Sequence, residues 1–362
     1  MRAMTHQRYE NIDALRAVAA TLVLVQHFFG DVVREALDPK GPLAQLVGLS
    51  LNNVDLGRFG VVLFFLISGF VVPFSIRGTR PLKRFAISRF FRLYPALWLA
   101  VLLLSVIAAL RDEAPSIATV LANMTMFPSL IGFKWLSGIY WTLTIELIFY
   151  VLCAALFWQS ILYKPWVVMV FTLLLIGSTA VPILARTQFG TNLPVQYIGL
   201  HVSFLYCGLL LRLAMIEKSQ GAWVCAGTII LAQFAVLFCI GDFSLARGDG
   251  FFLVGTAPII VAYILAFAAF ICAVYTGKPE SPILSRGGSI SYSVYLFHGA
   301  AALMTYALFP LTGGWSDLWI GLTSLVVTMF ISFGVYTYLE TPMISLGRKV
   351  MTLSESRAVS VI

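Results

Sequence analysis

The sequence predicts an all-α, polytopic membrane protein with about ten transmembrane helices and both termini in the cytoplasm. Three observations predict it. Hydrophobic residues make up 60% of the 362 and charged residues only 11%, against roughly 25% charged in a soluble domain. Mean hydropathy is +0.91. The apolar residues fall in runs of helical length, since a span needs about 20 of them, and none shows the short alternating strands of an outer-membrane barrel.

Ten runs qualify: 12–30, 56–76, 87–110, 139–158, 165–185, 195–214, 222–241, 251–275, 288–310 and 317–340. The first follows "MRAMTHQR" and has no small-residue cleavage site behind it, so it reads as a retained span and not a signal peptide. With the N-terminus inside, sixteen Lys and Arg fall in inner segments and six in outer ones, while Arg16 and Arg58 sit at or within helices. That bias follows the positive-inside rule. It also accounts for the net charge of +8 without a nucleic-acid partner. Residues 1–345 form one transmembrane domain and 346–362 a short cytoplasmic tail. The five cysteines form no CxxC or Cys/His cluster, which argues against a disulfide framework or a metal site. Two outer loops are long, 31–55 and 111–138, and the stretch "IATVLANMTMFPSLIGFKWLSGIY" within and after the second is apolar enough for a short interfacial helix.

The informative residues are the polar ones inside spans, which are costly and therefore candidates for function. Arg16 and His27 lie eleven positions apart in the first span. Eleven steps of about 100° make three turns plus about 20°, so both sit on one face, about 16 Å apart along the axis. Asp31, four residues beyond His27, continues that side. Glu146 in "WTLTIELIFY" falls about 10 Å below the outer end of its span, at the depth of His27. A histidine with a carboxylate to orient it is the usual equipment for activating a hydroxyl. Packing or ion pairing would explain each residue singly, but their shared depth weakens that reading.

The inner layer is basic. "RPLKRFAISRFFRLYP" brings Arg80, Lys83, Arg84, Arg89 and Arg92 to the start of the third span. A lipid-phosphate anchor explains the run from Arg77 to Arg84. It explains Arg89 and Arg92 less well, because they continue into the helix; with Arg16 they form a grip for a phosphorylated ligand. Ser68, Gly69 and Pro73 in the second span allow a close approach or kink. Ser291, Tyr292, Ser293, Tyr295 and His298 make the ninth span polar, and Glu340 closes the tenth. His201 and His6 read as hydrogen-bonding residues.

The order of these motifs resembles the acyltransferase 3 family. "NIDALRAVAATLVLVQHF", "GVVLFFLISGFVV", "RFAISRFFRLYP", "WTLTIELIFYVL", "SYSVYLFH" and "YLETP" carry the likeness over residues 10–345. Its specific parts are the Arg16–His27 pair, the run Arg89, Arg92, Tyr94, Pro95, and the piece Glu146, Phe149, Tyr150. The resemblance implies a multi-pass enzyme of the bacterial inner membrane. Such an enzyme moves an acyl group, usually acetyl, from cytoplasmic acyl-CoA to hydroxyls of extracytoplasmic glycans: O-antigen, exopolysaccharide, peptidoglycan or lipid-linked oligosaccharide. It makes Arg16 and His27 the residues matching the family's essential pair. Some relatives carry a C-terminal SGNH-type domain, and this sequence ends soon after the tenth span without one. On this reading Arg16, Arg89 and Arg92 hold the acyl-CoA phosphates, His27 is the general base, and Asp31 or Glu146 orients it. Tyr295 and Ser68 are candidate oxyanion donors, and an acyl-enzyme relay stays open. The rival readings are a permease with a His/Glu proton relay, disfavoured by the lack of a visible inverted repeat, and a polysaccharide-export component.

Overall fold

The computed structural model describes residues 10–34, 45, 48, 53–191, 197–246, 255–276, 281–312 and 314–359. Among them every regular element is helical: α1 (Glu10–Arg34), α2 (Leu56–Val71), α3 (Pro81–Ala109), α4 (Ile117–Met124), α5 (Trp141–Trp158), α6 (Pro165–Gly177), α7 (Ala180–Phe189), α8 (Ile198–Met215), α9 (Ala222–Ala246), α10 (Thr256–Thr276), α11 (Pro282–Leu308), α12 (Ser316–Val335) and α13 (Thr341–Val359), with a π-turn at Tyr336–Glu340. Among the described residues nine segments are long and apolar enough to cross a membrane. The tenth expected span is present as α11, a helix of 27 residues that carries Ser, Gly, Tyr and His among its apolar residues.

The boundaries move for local reasons. α3 begins at Pro81, six residues before the predicted 87, because Pro fits the first helical turn, where its missing N–H costs nothing. α11 begins at Pro282, capped by the Ser281 hydroxyl, which accepts from the Leu284 N–H at 3.4 Å. The predicted span 165–185 divides into α6 and α7 at Gly177–Thr179. At the far end a helical run of 37 residues, Ser316–Thr352, crosses the expected boundary at 345. Pro342 offers no N–H to the ladder, and the wide turn before it absorbs the break.

α8 is the axis of the fold: 89% of its span is buried inside the protein, against 17% for Ser316–Thr352. It packs on α2, α6 and α9, and α1 packs on α2 and α11. Without a hydrophobic driving force between helices, close contact rests on small residues. A Cβ on Gly69 would stand 1.7 Å from the Leu205 carbonyl oxygen, and one on Gly208 2.2 Å from that of Leu66, so α2 and α8 cross with glycine on both sides. A Cβ on Gly288 would meet the Asp13 carbonyl oxygen at 1.8 Å, which brings α11 equally close to α1.

The segment before α5 carries the expected short helix, α4. Its Asn123, 1% exposed, donates to the Thr119 and Lys134 carbonyls at 2.9 and 3.0 Å and accepts from the Leu136 N–H at 3.0 Å. Tyr140 donates to the Leu296 carbonyl at 3.1 Å and Tyr295 to that of Ile139 at 2.7 Å. These bonds tie the segment down over α11.

Candidate active site

A cavity of about 200 Å³ opens between α1, α2, α3, α5 and α11. α1 contributes Arg16; α2 contributes Val61, Phe64, Ser68 and Val71; α3 contributes Arg89, Arg92 and Leu93. α5 adds Thr142, Leu143, Glu146 and Tyr150, and α11 adds Ser291, Tyr292 and Tyr295. The α2 positions recur at helical spacing and form one face. All three arginines predicted from the sequence therefore share one space.

Their depth follows from the helix starts. Arg89 and Arg92 lie eight and eleven residues beyond Pro81, about 12 and 16 Å along the axis. That places them about two and three turns into α3, past the basic run that ends at Arg84. Arg16 is held by Asp13 one turn earlier, Nη1 to Oδ1 at 2.9 Å. The Arg89 guanidinium lies over the rings of Phe85 and Tyr150, 5.9 and 5.8 Å from their centroids. Its Nε is buried with no hydrogen-bond acceptor among the described residues. A cation backed by two rings and holding a spare donor is prepared for an anion from outside the protein.

Glu146 accepts at Oε1 from the Ser68 hydroxyl at 3.0 Å and, closer still, from Tyr150. The sequence suggested an outer pair of His27 and Glu146 above an inner basic layer; the cavity instead places Glu146 among the arginines. Arg89 and Arg92, about two and three turns into α3, line the same space as Glu146. His27 does not line this cavity. Its ring lies 5.1 Å from that of His298 on α11. His298 is 1% exposed, its Nδ1 stands 2.8 Å from the Tyr295 carbonyl, and its ring is 6.0 Å from the Tyr295 ring. The Tyr295 hydroxyl shares a 2.7 Å hydrogen bond with Thr142 at the cavity wall. Tyr295, on the cavity wall, and His298 thus link the cavity to His27 through ring contacts. The Asp31 side chain lies outside the described residues.

Glu340 is buried and accepts from Ser293, so the wide turn before Pro342 aims a carboxylate at α11. His201 packs in a second polar cluster: its ring is 4.5 Å from that of Trp141, over which Arg58 lies at 6.0 Å, while Asp55 caps α2 through the Arg58 N–H at 2.8 Å. The sequence reading missed Asp13 and the role of Tyr150. The spacings Asp13–Arg16 (i, i+3) and Glu146–Tyr150 (i, i+4) were the signals that could have found them.

The family comparison decides what this arrangement belongs to. The profile described as an acyltransferase domain matches residues 9–337, nearly the whole of the helical body. The chain belongs to the acyltransferase 3 family. Two curated proteins are similar to it. One is the peptidoglycan O-acetyltransferase OatA of Listeria monocytogenes, 23% identical over 92% of this chain and 55% of that protein. The other is nodulation protein 10 of Rhizobium leguminosarum bv. viciae, 24% identical over 93% of both chains. The chain thus spans little more than half the length of the Listeria protein. No solved structure matches the chain. A multi-pass membrane protein of an acyltransferase family, with three arginines around one cavity, is the frame for the chemistry.

Proposed function

We propose that the protein is an acyl-CoA-dependent O-acyltransferase of the bacterial inner membrane. It transfers an acyl group, acetyl by the likeness to OatA, to a hydroxyl of an extracytoplasmic glycan or lipid-linked oligosaccharide. The observation that carries this reading is the cavity itself. Arg16, Arg89 and Arg92 surround it, and the buried Arg89 Nε has a donor to spare. Guanidinium forks suit phosphate oxygens, and a CoA ester brings a pyrophosphate.

With the phosphates held there, the pantetheine arm extends along Tyr295 toward His27. His27 takes the proton of the acceptor hydroxyl as its oxygen attacks the thioester carbonyl. The C–S bond breaks, the acyl–oxygen ester forms, and the CoA thiolate leaves to be protonated. A positioned base of this kind contributes about 10²–10⁴-fold. His298, 5.1 Å from His27 between their ring centres, packs against that ring from α11. Glu146, held by Ser68 and Tyr150, balances the cationic cavity instead of serving the base.

Membrane vesicles supplied with radiolabelled acetyl-CoA test the reading. Label that appears on glycan and is released by mild base supports it. Uptake with no base-labile glycan product points to a permease instead.

A further inference from the structure

A second, wider cavity of about 620 Å³ lies where α3 begins and α5 ends. Its chemistry-bearing residues are Arg80, Lys83, Phe157, Trp158 and Tyr163. Its register with the arginine cavity is fixed by both helices. Leu82 and Phe157 line the wide cavity, while Arg89 and Tyr150 line the narrow one. Each pair is seven residues apart on its helix, which is two turns on one face, or about 10 Å. The Phe85 and Tyr150 rings, 5.6 Å apart, join the two helices between the cavities. Tyr163 donates to the Pro73 carbonyl at 2.8 Å and sets its ring at a tilt 5.2 Å from that of Phe74, next to Val72 and Ser75 of the narrow cavity. The two cavities are neighbouring stations on one seam.

Their chemistry differs in a way that matches the two ends of one ligand. The narrow cavity offers deep guanidiniums. The wide one offers two exposed cations and aromatic rings, of which Trp158 is 78% exposed and so not consumed by packing. An open aromatic face beside cations suits a nucleobase and its phosphate. Burial pushes the Tyr163 hydroxyl up to about 12, which keeps it a neutral donor at the rim.

A CoA ester carries phosphate in two places, the pyrophosphate and a 3′-phosphate on the ribose beside adenine. We propose that the wide cavity receives the 3′-phosphorylated adenosine end of the acyl donor, with Arg80 and Lys83 on the 3′-phosphate and Trp158 against the adenine. The pyrophosphate then reaches Arg89 and Arg92. A phospholipid headgroup matches the cations but supplies no base for the open indole, and it has no use for a second cation cluster two turns away. This assignment rests on the acyl-CoA reading above.

The test compares acetyl-CoA with its 3′-dephospho form, binding each to the purified full-length protein in nanodiscs. Wild type is expected to prefer the phosphorylated donor by about tenfold or more, the scale of a lost charge-assisted hydrogen bond. The doubly substituted Arg80→Ala, Lys83→Ala protein should lose that preference. Arg89→Ala should weaken both donors alike and keep it. Both Arg80 and Lys83 are exposed, so the unfolding temperature should match wild type. Trp158→Ala, on the other helix, should independently weaken competition by adenosine 3′,5′-bisphosphate. A preference that survives the double substitution, or is absent from wild type, overturns the assignment and leaves the acyl-CoA reading standing. Loss of bound anionic phospholipid from the double variant with the donor preference unchanged overturns it in favour of a lipid. Wild type that binds neither donor defeats the acyl-CoA reading itself.

Discussion

The two faces of α2 differ in what they ask of the chain. Toward α8 the helix presents Leu66 and Gly69, and the approach is so close that a Cβ at position 69 would overlap a backbone oxygen. Toward the cavity it presents Val61, Phe64, Ser68 and Val71, with Ser68 bonded to Glu146. One face is backbone against backbone and tolerates no added atom; the other borders open space and polar groups. The difference teaches how a polar site persists in a membrane bundle. The α2–α8 seam fixes the helix, so the serine on its far side stays in register with α5 without being packed in place.

That contrast can be broken from either side. The largest effect is expected in the seam. Gly69→Val puts branched carbon where 1.7 Å separates a Cβ from the Leu205 oxygen. Overpacking costs about 1–3 kcal/mol in ordinary cores and more where backbone must move. Here no folded, detergent-stable protein should be recovered by size-exclusion chromatography. By contrast, His27→Ala should fold and insert normally while transfer falls to about a hundredth of wild type or lower, the least loss that a general base worth about 10²–10⁴-fold implies. If the alanine protein keeps more than that, His27 is not the base.

Sidedness sharpens the comparison, because the proposed acyl-CoA donor requires the cavity to be reached from the compartment that holds it. Sixteen inner against six outer Lys and Arg put Ser116 outside and Ser281 inside. In a variant lacking the five native cysteines, a cysteine at Ser116 should react with an impermeant thiol reagent on spheroplasts, and one at Ser281 should not. The reverse pattern would put Arg80 and Lys83 outside, away from the donor.

A smaller effect is expected for Arg89→Ala. The variant should fold, since the residue is half-buried and lines open space, and acetyl-CoA affinity should fall roughly 10- to 100-fold, as for a lost charged hydrogen bond of about 1.5–3 kcal/mol. Calorimetry would read this directly, and unchanged affinity would return Arg89 to lipid anchoring.

Much of this was legible in the sequence because membrane helices are written in apolar length and the site in the few charges that interrupt it. Arg16, Arg89, Arg92 and Glu146 stood out for that reason, and the structure gathers all four. What the sequence could not give was relative depth between helices. Counting from predicted span ends placed Glu146 with His27; the cavity groups it with the arginines. Partners set by tertiary contact were also hidden. The pairing of His27 with His298 joins α1 to α11 and has no signature in either segment, although the unusual polarity of "SYSVYLFH" marked α11 as a helix that faces something polar.

The finest cut lies within one side chain. Tyr150 does two things at the cavity: its hydroxyl donates to Glu146, and its ring backs the Arg89 guanidinium, 5.8 Å from its centroid. Tyr150→Phe removes only the first. Glu146 keeps the Ser68 hydroxyl at 3.0 Å, so the loss should be that of one hydrogen bond, about 1 kcal/mol, or roughly a fivefold fall in kcat/KM. Tyr150→Leu removes the ring as well, and with it a cation–π contact worth about 0.5–2 kcal/mol. The further loss should appear in donor affinity, because Arg89 is then no longer held toward the cavity. If phenylalanine and leucine are equally impaired, the hydroxyl carries the whole effect and the ring is only packing. If phenylalanine matches wild type, Ser68 alone holds Glu146, and the tyrosine serves the arginine.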